Sequence, residues 1–167
     1  HFPANRGGRY VAGSRVRTDL ELFDWHAQAC ADLPADQAIQ RYRAALDLVT
    51  GRPFSYPNAA RASYGWVDFE HHATAWELRI AGVAQACAAL CLDQGDAGTA
   101  IAVLRGVVQS LPLDSALTEA LMRAHVADGD RAGAERVYRE HATALAQADL
   151  GDPDDSIEQV RLDAHAS

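Results

Sequence analysis

The stretch Gln94-Gly95-Asp96-Ala97-Gly98-Thr99-Ala100-Ile101-Ala102-Val103-Leu104 returns, in altered form, 34 residues later as Asp128-Gly129-Asp130-Arg131-Ala132-Gly133-Ala134-Glu135-Arg136-Val137-Tyr138. Gly95-Asp96 becomes Gly129-Asp130, Ala100 becomes Ala134 and Val103 becomes Val137. Leu104 is answered by Tyr138, both bulky. Self-similarity at a fixed period marks a chain built from one repeated unit that cannot bury its apolar face alone.

The period is that of tetratricopeptide helix pairs. The pattern asks for a large and a small residue in the first helix, a glycine turn, then small, large and proline positions in the second. One unit supplies Cys87, Ala88, Gly95, Ala100, Leu104 and Pro112. The next supplies Leu121, Met122, Gly129, Ala134 and Tyr138, with Ala146 where proline is expected. A weaker copy lies upstream, with Trp25 in its first helix, Leu33-Pro34 at the turn, and Ala38 and Tyr42 in its second. The expected units are 19–52, 81–114 and 115–148. Small residues at 38, 100 and 134 let helices approach, and large ones at 42, 104 and 138 fill the gap.

Around these units the punctuation is clear. Gly51 to Gly65, with Pro53, Pro57 and Asn58, reads as a long loop. A helical pattern from about Val67 to Gln94 predicts one extended helix whose C-terminal half serves the second unit. Leu150-Gly151-Asp152-Pro153 ends the last long helix. Asp154-Asp155-Ser156 then resembles an N-cap for a short helix around Ile157, Val160 and Leu162, closing the exposed end of the stack. No Asn-Gly or Asp-Gly turn between alternating apolar residues signals a hairpin. The expected fold is all-α, a tetratricopeptide-like right-handed stack of about three helix pairs plus a C-terminal capping helix. Residues 1–18 are expected as a linker or tail and 19–165 as the domain.

Composition agrees and narrows the function. The chain has 167 residues, 49% of them apolar, and roughly a fifth are alanine, the best helix former. The formal net charge is −8 and every cation except histidine is arginine. Such a domain is repelled by a phosphate backbone, so DNA is expected only through a separate domain outside this chain. Arg6, Arg9, Arg15 and Arg17 form a basic N-terminal tract, read as a solvated tail. The longest apolar run, Ile80 to Leu92, is short and interrupted by Gln85, so no membrane span or membrane contact is expected.

The ordered residues resemble the bacterial transcriptional activator domain. They are Asp19 with Phe23; Ala38, Tyr42 and Ala45-Leu46; Gly51-x-Pro53-Phe54 and Trp66; Gly95-Asp96; Pro112-Leu113; Leu121-Met122-x-Ala124; Gly129-Asp130; Ala134-x3-Tyr138; and Leu150-Gly151-Asp152-Pro153. The resemblance implies the tetratricopeptide-type module that follows the DNA-binding domain in actinobacterial antibiotic-pathway regulators. Tyr64-Gly65-Trp66 is similar to the subset of such domains in LysM-containing envelope proteins, which implies as alternative a cytoplasmic interaction domain of a membrane-anchored parent. A small-molecule sensor or hydrolase is the reading of another class.

No residues announce a reaction. Cys87 and Cys91 are four apart and share a helix face, but they occupy packing positions, where free cysteine behaves as a small buried hydrophobe. Cys30 completes an odd, low count that does not suggest a disulfide framework. His71 and His72 are adjacent and point about 100° apart on a helix, so they cannot chelate together. His72 with Trp76 reads as an i,i+4 contact, and His26, His125 and His141 read as fillers of helix interfaces. Trp25, Trp66 and Trp76 read as core, with Trp66 pinning the loop. No catalytic residue, metal ligand or cofactor is expected. The expected partner is a protein, or a second copy, received in the concave face lined by first-helix residues Gln85, Asp93, Glu119 and Arg123, in a cytoplasmic compartment.

Overall fold

In the computed structural model, residues 4–6, 9–11, 17–28, 30, 32–55 and 71–166 are described. The Gly-Asp pairs organise it. Helix α3 (His72–Asp93) stops where Gly95 takes φ +74°, donating to the carbonyl of Leu92 (2.9 Å) while Asp96 N–H reaches back to Cys91 O (2.8 Å). This left-handed stop favours glycine, because any side chain there meets its own carbonyl. The Asp96 carboxylate then accepts from Thr99 N–H (2.9 Å) and starts α4 (Ala97–Ser110). The device repeats between α5 (Ser115–Ala127) and α6 (Arg131–Gln147). There Gly129 has φ +76°, Asp130 N–H donates to His125 O (2.9 Å), and the Asp130 carboxylate accepts from Gly133 N–H (2.8 Å). Two residues thus end one helix and begin the next, and fold each pair into a hairpin.

The remaining helices are α1 (Asp19–Gln28), α2 (Ala35–Leu46) and α7 (Asp155–Ala166). α1 packs on α2, α2 on α3, α3 on α4 and α5, and α5 on α6 and α7. First helix α3 therefore meets first helix α5, as in a tetratricopeptide-like array. The small positions are closed: Ala38, Ala100 and Ala134 are buried. Leu104 fills the large position completely, while Tyr42 and Tyr138 pack against the core from its margin. Cys87, Leu121 and Met122 sit in the centre between the pairs.

Within the segment expected as linker or tail, β1 (Ala4–Arg6) and β2 (Arg9–Val11) form a two-stranded antiparallel pair with Arg6 opposite Arg9, which leaves that expectation standing. Several expectations need correction. Trp25 is not core but 57% exposed. Phe23 is buried instead, edge-on to Trp76 with ring centroids 5.7 Å apart. Residues two apart on a helix point roughly 200° apart, so an inward Phe23 turns Trp25 outward.

At the other end, α7 buries Ile157, Val160 and Ala164, and Leu162 faces solvent. The 157-160-164 spacing keeps one face and position 162 falls off it. The left-handed residue just past α6 is Asp149 (φ +56°), with Gly151 (φ +88°) two residues further on. α3 is also long and apolar enough, by length and composition, to cross a membrane. Here it is the central helix of the stack, packed against α2, α4 and α5. The start of the expected 67–94 helix, the loop residues beyond Ser55, and Tyr64-Gly65-Trp66 lie outside the described residues.

Candidate partner-binding surface

The four residues expected to line the groove are distributed over two first helices. Gln85 is half-buried on α3, and Asp93 is its exposed last residue. Glu119 and Arg123 lie one turn apart on α5 and engage each other, with Arg123 Nε donating to Glu119 Oε1 (2.9 Å). None of the four lines the clefts between the elements described next. Those clefts, each about 220 to 320 Å³, run between α1 and α3, beside the α4–α5 turn, between α2 and α4, and across α4, α5 and α6.

Large apolar side chains are exposed elsewhere, Leu113, Leu150 and Leu162 among them. Leu22 and Trp25 stand three apart on α1, and Leu78 is exposed on α3. The Arg41 guanidinium of α2 covers the Trp25 ring at 4.4 Å from its centroid, and the His26 ring meets it edge-on. α1 is tied to α3 beneath this face by Phe23 against Trp76 and by the ion pair of Arg79 Nε with Asp24 Oδ1 (2.7 Å). The indole is thus held in one pose on a supported helix. Sequence reading missed this pair because it treats tryptophan as core by default; the cue available was Phe23, two residues away and equally able to face inward.

The buried histidines fill interfaces, as expected. His125 Nδ1 donates to Asp130 Oδ2 (3.0 Å), and His125 Nε2 accepts from Arg105 Nη2 (3.0 Å). A guanidinium has no acceptor, so this geometry fixes the neutral tautomer with its proton on Nδ1. Burial pushes the His125 pKa below the ordinary imidazole value, against the pull of Asp130. The Asp130 carboxyl lies below its usual range, first through the Gly133 N–H and then through His125. Arg105, His125 and Asp130 form a chain from α4 through α5 to the cap of α6.

His141 is also buried, with Nδ1 3.1 Å from Pro112 O and 3.2 Å from Thr118 Oγ1. Thr118 gives its own proton to Asp114 O (3.0 Å), so it is not a hydroxyl waiting for that imidazole to activate it. Exposed His71 precedes α3 at φ +56°, and exposed His72 opens the helix.

The cysteines are core. Cys30, Cys87 and Cys91 are buried and unbridged. Burial pushes the Cys87 thiol up to about 12, and the Cys30 and Cys91 thiols are raised by the same cause. Thiols held protonated in this way are poor nucleophiles and poor metal ligands. Among the described residues no group of three His, Cys, Asp or Glu side chains is placed to hold a metal ion.

The sequence model described as bacterial transcriptional activator domain matches residues 18–162. None of the curated proteins and none of the solved structures matches the chain.

Proposed function

The chain belongs to the bacterial transcriptional activator domain family, and from this we propose that it is the protein-interaction module of a transcriptional regulator, docking a partner protein through the outer face of α1 and α2. The family is a regulatory one, and nucleic-acid contact is left to a separate domain because this chain carries a net charge of −8. The observation that carries the reading is Trp25, 57% exposed and clamped under Arg41. Tryptophan and arginine dominate the energetics of protein interfaces, and a tryptophan already fixed in its pose loses little rotamer freedom on binding. Leu22, on the same helix face, extends the apolar patch.

Glu119 and Arg123 remain a second contact in this reading, as a charged pair whose members can re-pair across an interface. The proposal places the module in the cytoplasm, beside the transcription machinery. It is tested by precipitating the intact parent from its source cells with an antibody to the C-terminal helix. Loss of co-precipitated transcription proteins on Trp25→Ala, with Glu119→Gln weaker in effect, supports the α1–α2 face. Equal recovery with Trp25→Ala removes it.

A further inference from the structure

From Ile80 to Leu92 helix α3 carries no charge, yet only 33% of its most apolar stretch is buried. A helix without a polar face normally lies inside a core. The open side of α3 presents Ala75, Leu78, Gly82 and Ala89, all exposed, with Gln85 and Leu92 half-buried in line with them. Leu78 is 67% exposed, the most of any large apolar side chain among the described residues. Positions 75, 78, 82, 85, 89 and 92 follow steps of three and four, the spacing of a seam that packs along another helix. A Cβ on Gly82 would meet nothing within 4 Å, so no contact inside the chain calls for glycine there. Glycine in mid-helix is unfavourable, and what it offers is a close approach from outside.

The seam is complementary to itself when reversed. Antiparallel pairing about a point between Val83 and Ala84 sets Leu78 against Ala89, Gln85 against Gly82, and Leu92 against Ala75. Each contact joins a larger side chain to a small one, and a two-fold axis makes each of them twice. Charge agrees with shape. Exposed Asp93 ends α3 and exposed Asp96 follows it, while exposed His71 and His72 stand at its start. Reversal brings the acids to the other helix's N-terminus and the imidazoles to its C-terminus, which suits both helix dipoles. Parallel pairing would set Asp93 on Asp93, Leu78 on Leu78 and Gly82 on Gly82.

We infer that the open side of α3 pairs, antiparallel, with the α3 of a second copy of this chain. A helix of 22 residues is about 33 Å long and about 10 Å across, a footprint below the roughly 800 Å² per partner of a standard stable interface. The dimer is therefore weak and reversible, half-formed at roughly 10–100 µM. Trp25 and Arg41 take no part in the seam, so self-association and partner docking through α1 and α2 are separable.

The test is sedimentation of the full chain over a wide concentration range, together with cysteine crosslinking. Wild type is expected to pass from monomer to dimer. Leu78→Glu is expected to weaken the dimer roughly 100-fold, because the two-fold axis counts each lost leucine twice. Ala89→Glu, which fills the hole facing Leu78, is expected to act in the same direction. Leu78 and Ala89 are exposed, so both variants are expected to melt with wild type in dilute solution. Copies of Gln85→Cys stand about 5 Å apart along the pair and should join through a short bismaleimide, while copies of Asp93→Cys stand about 29 Å apart and should not. A wild-type chain that stays monomeric at about 1 mM, ten times the weakest association expected, would overturn the inference. So would a dimer indifferent to both glutamate variants, or one joined as readily through Asp93→Cys. A monomer that captures a different protein through Leu78 would give the face to another occupant and overturn it as well.

Discussion

The Nδ1 of His125 lies 3.0 Å from the Oδ2 of Asp130, the residue that caps the next helix through its other oxygen. One imidazole thus steadies the turn that joins α5 to α6, while its other nitrogen receives Arg105 from α4. Stability at this joint depends on His125 being neutral and Asp130 charged.

The pH dependence has a definite sign. Burial lowers the folded-state pKa of His125. Its contribution is therefore complete above the ordinary imidazole value and is lost as pH falls through that value towards the lower folded one. Asp130 is also lowered, so its contribution is lost further down, below the carboxylate range. Thermal melts from pH 7.5 to 5 are expected to show a falling midpoint, and the fall is expected to be smaller in His125→Asn. An unchanged slope in that variant would count against the assignment.

Two glycines are expected to respond in opposite directions to alanine. A Cβ on Gly133 would overlap the Asp130 carboxylate and the His125 ring, so Gly133→Ala must displace the cap. The expected cost in urea denaturation is about 1–3 kcal/mol. Gly106 is exposed in the middle of α4 with open space at its Cβ position. Gly106→Ala is expected to stabilise by about 0.5–1 kcal/mol.

The cysteines are expected to resist modification. With Cys87 pushed up to about 12 and all three thiols buried, native protein at pH 8 should take up thiol reagent only as fast as it unfolds. Cys87→Ser, which buries a hydroxyl at that position, is expected to cost about 1–3 kcal/mol, more than Cys87→Ala if the cavity collapses. Rapid labelling of folded protein would contradict the packing described.

Trp25→Ala is expected to change stability by less than about 1 kcal/mol, because the ring is mostly on the surface. Its effect should fall on association. A large drop in melting midpoint would make Trp25 structural after all.

The fold was legible because its cause is local and repeated. Gly95-Asp96 and Gly129-Asp130 each perform a left-handed stop and a side-chain cap, and both functions belong to the residue types themselves. Ala100 and Ala134 announced close helix approach in the same way. The surface was less legible. Whether Phe23 or Trp25 faces inward is decided by which ring meets Trp76 of α3, a partner some fifty residues away. Likewise Ala164 displaced Leu162 from the core because the face of α7 is set by α5 and α6, not by hydrophobicity alone. Glu119 and Arg123 pair with each other on α5, an engagement that depends on side-chain reach, which their spacing permits but does not fix.

The most direct test of the central claim is immunoprecipitation of the intact parent protein from its source cells after DNA crosslinking. The wild-type parent is expected to recover specific promoter DNA together with transcription proteins. A Trp25→Ala parent is expected to keep the DNA and lose the proteins. A parent found in the membrane fraction, with no promoter enrichment in either form, would contradict the account.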